Sequence, residues 1–190
     1  MSRLIQRAIV CVIVVLATSC AQRSGRSLPQ ISVTAEYDRD SLQYLIHFSE
    51  EAQQMTELCL KKAQRHDLRQ YCRELSEQEQ VRANMMRNWL AEWYRAKPDS
   101  AKQRAEHSSE EVEHFLAAMR SSVGEKFEEA FLSGLRVHIR DGGSHTAECN
   151  TRAVHTDYRQ FCSAWNIQQE ETRKKLSSWI CQWFRDCLER

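Results

Sequence analysis

Residues 68–72 read LRQYC and residues 158–162 read YRQFC; residues 89–95 read WLAEWYR and residues 179–185 read WICQWFR. Both pairs are separated by the same offset of ninety residues, and working outward from them extends the match. Tyr37-Asp38 aligns with Phe127-Glu128, Leu42 with Leu132, Leu45 with Leu135, Cys59 with Cys149, Ala63 with Ala153, and Asp67 with Asp157. One offset shared by so many positions marks an internal duplication. The first copy occupies residues 37–96, the second occupies 127–190, and residues 97–126 link them.

Each copy carries the period of two long amphipathic helices. Leu42, Leu45, Ser49, Ala52, Met55, Cys59 and Ala63 recur at three- and four-residue steps, which places them on one buried stripe. Leu68, Cys72, Leu75, Met86, Trp89 and Trp93 do the same in the second helix, after Asp67 in an N-cap position. Asp157 is the corresponding cap in copy two, and Trp89, Trp93, Trp179 and Trp183 read as core anchors. In the linker, Pro98 breaks the second helix and a short helix starts at Ser109 with Glu110 and Glu111. Two helical hairpins so joined give an all-α four-helix bundle.

The bulk composition agrees. The chain is 42% hydrophobic and 28% charged with only five Gly and two Pro, which suits helix rather than strand or disorder. A net charge of +1, with no basic stripe interleaved with aromatics, argues against nucleic acid as a partner.

The first residues read as a targeting segment. Arg3 and Arg7 precede the apolar run AIVCVIVVLA, too short to span a bilayer, and LATSC follows with Cys20 in a lipobox-like context. This predicts a lipoprotein-type signal peptide over 1–19, a lipid on Cys20 that attaches the chain to a membrane, and a polar tether over 20–36. The alternative is ordinary cleavage near Ser19, which leaves Cys20 a free thiol and the protein soluble in the periplasm or secreted.

Export decides how the cysteines read. Of eight, Cys11 leaves with the signal and Cys20 is reserved for lipid, so six remain in the mature domain. An even number in an oxidising compartment points to disulfides. Cys59 and Cys72 lie equidistant from the turn near Arg65-His66, as do Cys149 and Cys162 from the turn near His155, so each pair faces across an antiparallel hairpin. The rival assignment, four thiols on a metal, lacks the CxxC spacing such sites use. Cys181 and Cys187 pair only if the last helix ends near Arg185 and the chain turns back. His66 and His155 flank the turns and read as solvent-facing loop residues.

The apolar stripe is interrupted at the same depth in both second helices, by Glu79 and Arg82 in copy one and by Gln169 and Thr172 in copy two. Facing them are Met55, His138 and His145 from the first helices. Here the chain resembles the bacterial domain-of-unknown-function 305 family. Its ferritin-like bundles carry Asp, Phe-Leu, His-His and Met on one helix and Gln, Glu and Met leading to Trp-Leu on its partner. FEEAFLSGLRVHIRDGG at 127–143 follows the first pattern, with Glu128 for the Asp, Phe131-Leu132 for Phe-Leu and His138 for the first His. YDRDSLQYLIHFSEEAQQM at 37–55 keeps Asp38, Leu42 and Met55, and MRNWLAEWY at 86–94 keeps Met86, Trp89 and Leu90.

The resemblance implies a ferritin-like bundle and a metal centre for copper or another transition metal, for which His138, His145, Met55, Met86, Gln169 and Glu79 are the candidate ligands. Soft thioether and imidazole donors suit Cu(I). The departures fall on the ligands themselves. The second His is Ser49 in copy one and Ile139 in copy two, and His47 is displaced by one residue, hence rotated about 100° away. The family Glu is Arg82 or Thr172, and Gly142-Gly143 threatens the helix between His138 and His145. A Glu79–Arg82 contact that satisfies both side chains is the expected content of the bundle middle. No nucleophile, base and phosphate-loop arrangement can be assembled, so an enzyme is not expected. The sequence therefore predicts an exported, lipid-anchored binding module of the bacterial cell envelope, with a periplasmic copper-type binding or resistance protein as the alternative.

Overall fold

The computed structural model describes residues 28–100 and 110–187; the signal segment and Cys20 lie outside the described residues. Among the described residues five helices follow one another: α1 Leu28–Lys62, α2 His66–Tyr94, α3 Glu110–Ser121, α4 Glu125–Arg152 and α5 Thr156–Phe184. Helices α1 and α2 form one hairpin, α4 and α5 the other, and α1 packs against α4 between them. The short α3 lies against α4 and touches α1.

The periodic stripe is the buried face of α1 from Leu42 through Met55 to Cys59, and it continues to Ala63 just past the helix end. The disulfides Cys59–Cys72 and Cys149–Cys162 staple the two hairpins just before their turns. Each closes a loop of about 14 residues, a constraint worth about 3 kcal/mol on the chain-entropy account. Cys181–Cys187 also forms, because α5 stops at Phe184 and Arg185 turns left-handed with φ 64°. Arg95, ninety residues earlier, ends α2 the same way with φ 51°, its N–H returned to the Ala91 carbonyl and that of Ala96 to the Leu90 carbonyl. This left-handed stop satisfies terminal carbonyls that would otherwise be orphaned. The helix thus ends before Pro98, not at it.

Several sequence expectations change. Helix α1 begins at Leu28 rather than near Tyr37, so the last part of the expected tether is helical. Asp67 and Asp157 sit in the first turns of α2 and α5, not at the caps, which are Arg65 and His155 and make no side-chain cap bond. Helix α4 passes through Gly142-Gly143 without a break. Gly142 is there for space: a Cβ on it would stand 2.2 Å from the Phe48 ring.

The backbone N–H groups of the turns that lead into α2 and α5 are bonded from the other hairpin. Glu128, fully buried, accepts from the backbone N–H of Gln64 and Arg65, both at 2.8 Å, and pairs with the Arg65 guanidinium. Asp38, its equivalent ninety residues back and also fully buried, accepts from the N–H of Val154 at 3.0 Å and His155 at 3.1 Å. His155 Nδ1 adds a contact at 2.7 Å to the same carboxylate. His155 is therefore a partner of the buried Asp38, not a free loop residue, whereas His66 is exposed as expected.

The tryptophans close this arrangement. Trp93 stacks on the His155 ring at 3.9 Å, and the Arg65 guanidinium lies over Trp183 at 4.9 Å. Trp89, Trp93, Trp179 and Trp183 are half-buried and pack against the core as expected, and the outer pair also covers the turn of the opposite hairpin. Lys62 over Phe127 at 5.7 Å and Arg152 over Tyr37 at 4.3 Å are likewise equivalent. The duplication in sequence is a pseudo-two-fold in space, and the conserved offset marks its contact residues.

Candidate functional site

Where α1 crosses α4, equivalent residues of the two copies meet face to face. Phe48 and His138, ninety residues apart, stack at 3.7 Å with their planes 6° apart. These are the two positions at which the resemblance places a first His, so one of the pair is an apolar ring. His138 is buried, and burial lowers its imidazole from the ordinary 6.5 to about 4, although Glu51 opposes the shift. Its ring is neutral at pH 7, and its Nε2 is buried with no hydrogen-bond partner.

Beside the stack, Glu51 lies between two imidazoles. Its Oε1 is 3.1 Å from His47 Nε2, in ion-pair range without hydrogen-bond alignment, and its Oε2 is 3.6 Å from His138 Nδ1. His145 is half-buried two turns further along α4, stacked on Tyr44 at 3.7 Å, and burial lowers its pKa as well. His47 lies about 100° off the family direction on its helix, yet it reaches this seam. The signal that marks it is its spacing from Glu51, an i,i+4 pair facing α4.

On the other side of His138 a small cavity of about 20 Å³, room for one water, separates it from the polar middle of α2 and α5. Glu79 and Gln169 line this cavity with His138. Glu79 accepts from Ser49 Oγ at 2.8 Å and is paired with Arg82. The Arg82 guanidinium also donates to Gln168 and lies over Trp165 at 5.0 Å. Gln168 donates in turn to Gln78, its equivalent in copy one, at 2.7 Å, so a polar ladder ties α5 to α2. In copy two, Thr146 donates to Gln169 Oε1 at 2.8 Å, leaving the Gln169 amide nitrogen without a partner. Burial raises the pKa of Glu79 above its ordinary value, with Arg82 the main influence pulling it back.

Of the six candidate ligands, then, Glu79, Gln169 and His138 share one cavity. Met55 and Met86 belong to different apolar clusters, one on each side of the middle, and His145 stacks on Tyr44. Among the described residues no three His, Cys, Asp or Glu side chains are grouped so as to hold a metal ion. The residues present do not fit the metal centre that the family pattern implies. Arg82 puts a fixed cation where a carboxylate would be needed, and Phe48 and Ile139 put apolar groups where imidazoles would be.

The neutral state of His138 has a measurable consequence. Its folded pKa lies below the unfolded value of 6.5, so the unfolded chain binds the extra proton between 6.5 and about 4. Stability is full above that window and falls as pH drops through it. His138→Phe, which keeps a ring on Phe48, is expected to flatten this dependence in urea titrations. An unchanged slope would show that other groups carry it.

A family model described as Domain of unknown function (DUF305) matches residues 38–180. No curated protein matches the chain. Its fold is similar to CopM in the Cu(I)-bound form, at 15% identity and TM-score 0.67, over 77% of this chain and 97% of that one. CopM in the Ag-bound form by soaking matches at 15% identity and TM-score 0.66, over 77% and 96%. A DUF305 protein from Streptomyces coelicolor matches at 12% identity and TM-score 0.67, over 77% and 93%. With the pattern of Asp38, Glu128, Phe131-Leu132, His138 and Met86 in place, the chain belongs to the DUF305 family.

Proposed function

We propose that this chain is exported, held on a membrane of the bacterial cell envelope by a lipid on Cys20, and acts there as a helical binding module rather than an enzyme. Supporting export are the charged and apolar run before LATSC and the three disulfides, which need an oxidising compartment. No described helix is long and apolar enough to cross a membrane, so attachment falls to the segment ahead of α1. The observation that carries the binding-module reading is Arg82, paired with Glu79 and Gln168 where relatives of this family place an acidic group. It closes the bundle middle and leaves the outer faces of the helices for recognition.

The second reading is a copper-type metal-binding protein. It is favoured by the neutral, unpartnered Nε2 of His138 and by the likeness of the fold to CopM solved with Cu(I) and Ag. Two measurements separate the readings. Palmitate labelling of expressing cells should mark the chain and be lost, with membrane attachment, in Cys20→Ala; an unlabelled chain overturns the anchor. Titration of purified protein with Cu(I) and Ag(I) should give no stoichiometric binding tighter than about 1 μM. Tight 1:1 binding abolished by His138→Ala would establish the metal reading instead.

A further inference from the structure

The three disulfides among the described residues differ in where they lie. Cys59, Cys72, Cys149 and Cys162 are all 0% exposed, sealed beneath the hairpin turns. Cys181 is half-buried and Cys187 exposed, and both open onto a groove flanked by α4 and α5. Copy one shows what the same helix end does without the bond. Its equivalent positions are Ala91 and Lys97, yet α2 stops at a left-handed Arg95 as α5 stops at Arg185, and each of these N–H groups returns to the carbonyl four residues back, Ala91 or Cys181. Trp93 covers the opposite turn at His155 just as Trp183 covers Arg65. The turn therefore brings the two sulfurs together, and the bond is not needed to make the turn. Its separation of 6 residues also restrains the unfolded chain less than the 13 of each hairpin bridge.

We propose that Cys181–Cys187 is a thiol–disulfide exchange site whose substrate is a pair of neighbouring thiols on another protein. The attacking thiol, as its thiolate, meets the sulfur of Cys187, the more exposed of the two. A bond forms between them, the Cys181–Cys187 bond breaks, and Cys181 leaves as a thiolate that takes a proton from water. The second substrate thiol then gives its proton to water and attacks the first, closing a disulfide in the substrate and releasing Cys187 to be protonated in turn. The substrate has lost two electrons and two protons, Cys181 and Cys187 have gained them, and no further oxidant enters. The geometry selects a dithiol over a single thiol. Cys181 and Cys187 have their Cα atoms 4.2 Å apart, so after the first step Cys181 stays beside the mixed disulfide and expels a single thiol by attacking back. Only a second thiol on the same partner competes with that return at a comparable effective concentration. Because the helix end does not depend on the bond, exchange proceeds without opening the bundle, whereas the hairpin sulfurs are reached only when their hairpins open. The exchange is stoichiometric, one bridge per dithiol, and adds to the binding-module reading without resting on it.

The probe is reduced thioredoxin, a protein dithiol, mixed without denaturant with protein purified after expression of the full chain; free thiols are trapped by alkylation and located by peptide mass. Cys181 and Cys187 are expected to become alkylated about a hundredfold faster than the four hairpin cysteines, with one thioredoxin oxidised for each bridge opened. Exposure alone accounts for speed, so the equilibrium is read as well. In glutathione buffers the bridge should open at thiol-to-disulfide ratios at which both hairpin bridges stay closed, as structural bridges do. Thioredoxin with its second cysteine replaced by serine should be caught on Cys187, because Cys187 is the sulfur attacked. Cys181→Ser with Cys187→Ser should lower the urea midpoint by less than about half the drop caused by Cys149→Ser with Cys162→Ser, since copy one builds the same helix end without a bond. A bridge that stays closed until the hairpin bridges open, capture on Cys181, or a drop of half or more in the double variant overturns the inference, and the last of these makes the bond a structural staple.

Discussion

Glu128→Ala is expected to lower the unfolding free energy by about 3–5 kcal/mol, the range for breaking a buried ion pair by removing one partner. The wild-type carboxylate is fully buried and serves three donors, the N–H groups of Gln64 and Arg65 and the Arg65 guanidinium. Truncation leaves the backbone N–H groups of Gln64 and Arg65, in the turn before α2, without their acceptor. It also strips the counter-charge from a guanidinium that Trp183 and Phe184 cover. Asp38→Ala should produce a loss of the same order at the other end of the bundle, through Val154 and His155. The two sites are far apart and share no residue, so the double variant should lose close to the sum. Urea unfolding of the three proteins checks this. A single-variant loss below about 1 kcal/mol would mean that solvent replaces the caps.

The pair also explains what was legible in the sequence and what was not. The ninety-residue offset exposes both hairpins, their registers and the two hairpin disulfides, because helical period and cysteine placement are local properties repeated twice. Asp38 and Glu128 are visible as equivalent residues, but their work is done across the bundle, on backbone groups that no periodicity names. The same limit caused Asp67 and Asp157 to read as caps: a carboxylate in the first turn is the expected local solution, and here a tertiary one replaces it. Helix α1 reaches back to Leu28 through residues whose polarity alone suggests a tether. Pro29 falls in the first turn, where helices tolerate it because the N–H has no partner there.

At the candidate site, the substitutions at the family positions are plain in the sequence, but not their geometry. That Phe48 and His138 lie on the pseudo-two-fold and stack on one another follows only once α1 is known to cross α4. His47 illustrates the converse. Its rotation from the family direction is correct for an isolated helix, yet a neighbouring helix approaches on that side and supplies His138 beyond Glu51. Gly142 belongs to the same crossing, since the Phe48 ring occupies the space a side chain there would need.

Arg82→Thr is the other large expected effect, and copy two contains its control. Glu79 and Arg82 correspond to Gln169 and Thr172, so nature has already replaced the charged pair by a neutral one in the same bundle. Removing only the guanidinium leaves Glu79, 3% exposed, with Ser49 as its remaining hydrogen-bond donor. A loss of about 3–5 kcal/mol at neutral pH is expected from an uncompensated buried charge. The pH dependence carries the diagnosis. The folded pKa of Glu79 is raised by burial above the ordinary 4.5, so the native state holds the proton more tightly than the unfolded chain. Its contribution to stability is therefore greatest in acid and declines as pH rises from about 4.5 through the folded value. Without Arg82, the main group pulling that value down, the decline should run to higher pH and go deeper. The variant should thus be closer to wild type at pH 5 than at pH 7.5 in urea titrations. Adding Glu79→Gln, which reproduces the copy-two pair, should recover most of the loss, since replacing both partners leaves no buried charge to compensate. An equal deficit at both pH values, or no rescue by the second change, would show that Arg82 stabilises through its packing on Trp165 instead. The same variant tests what the guanidinium does for function. With it gone, Glu79, Gln169 and His138 line one cavity with no fixed cation beside them, and Cu(I) or Ag(I) affinity should rise above that of the wild-type protein.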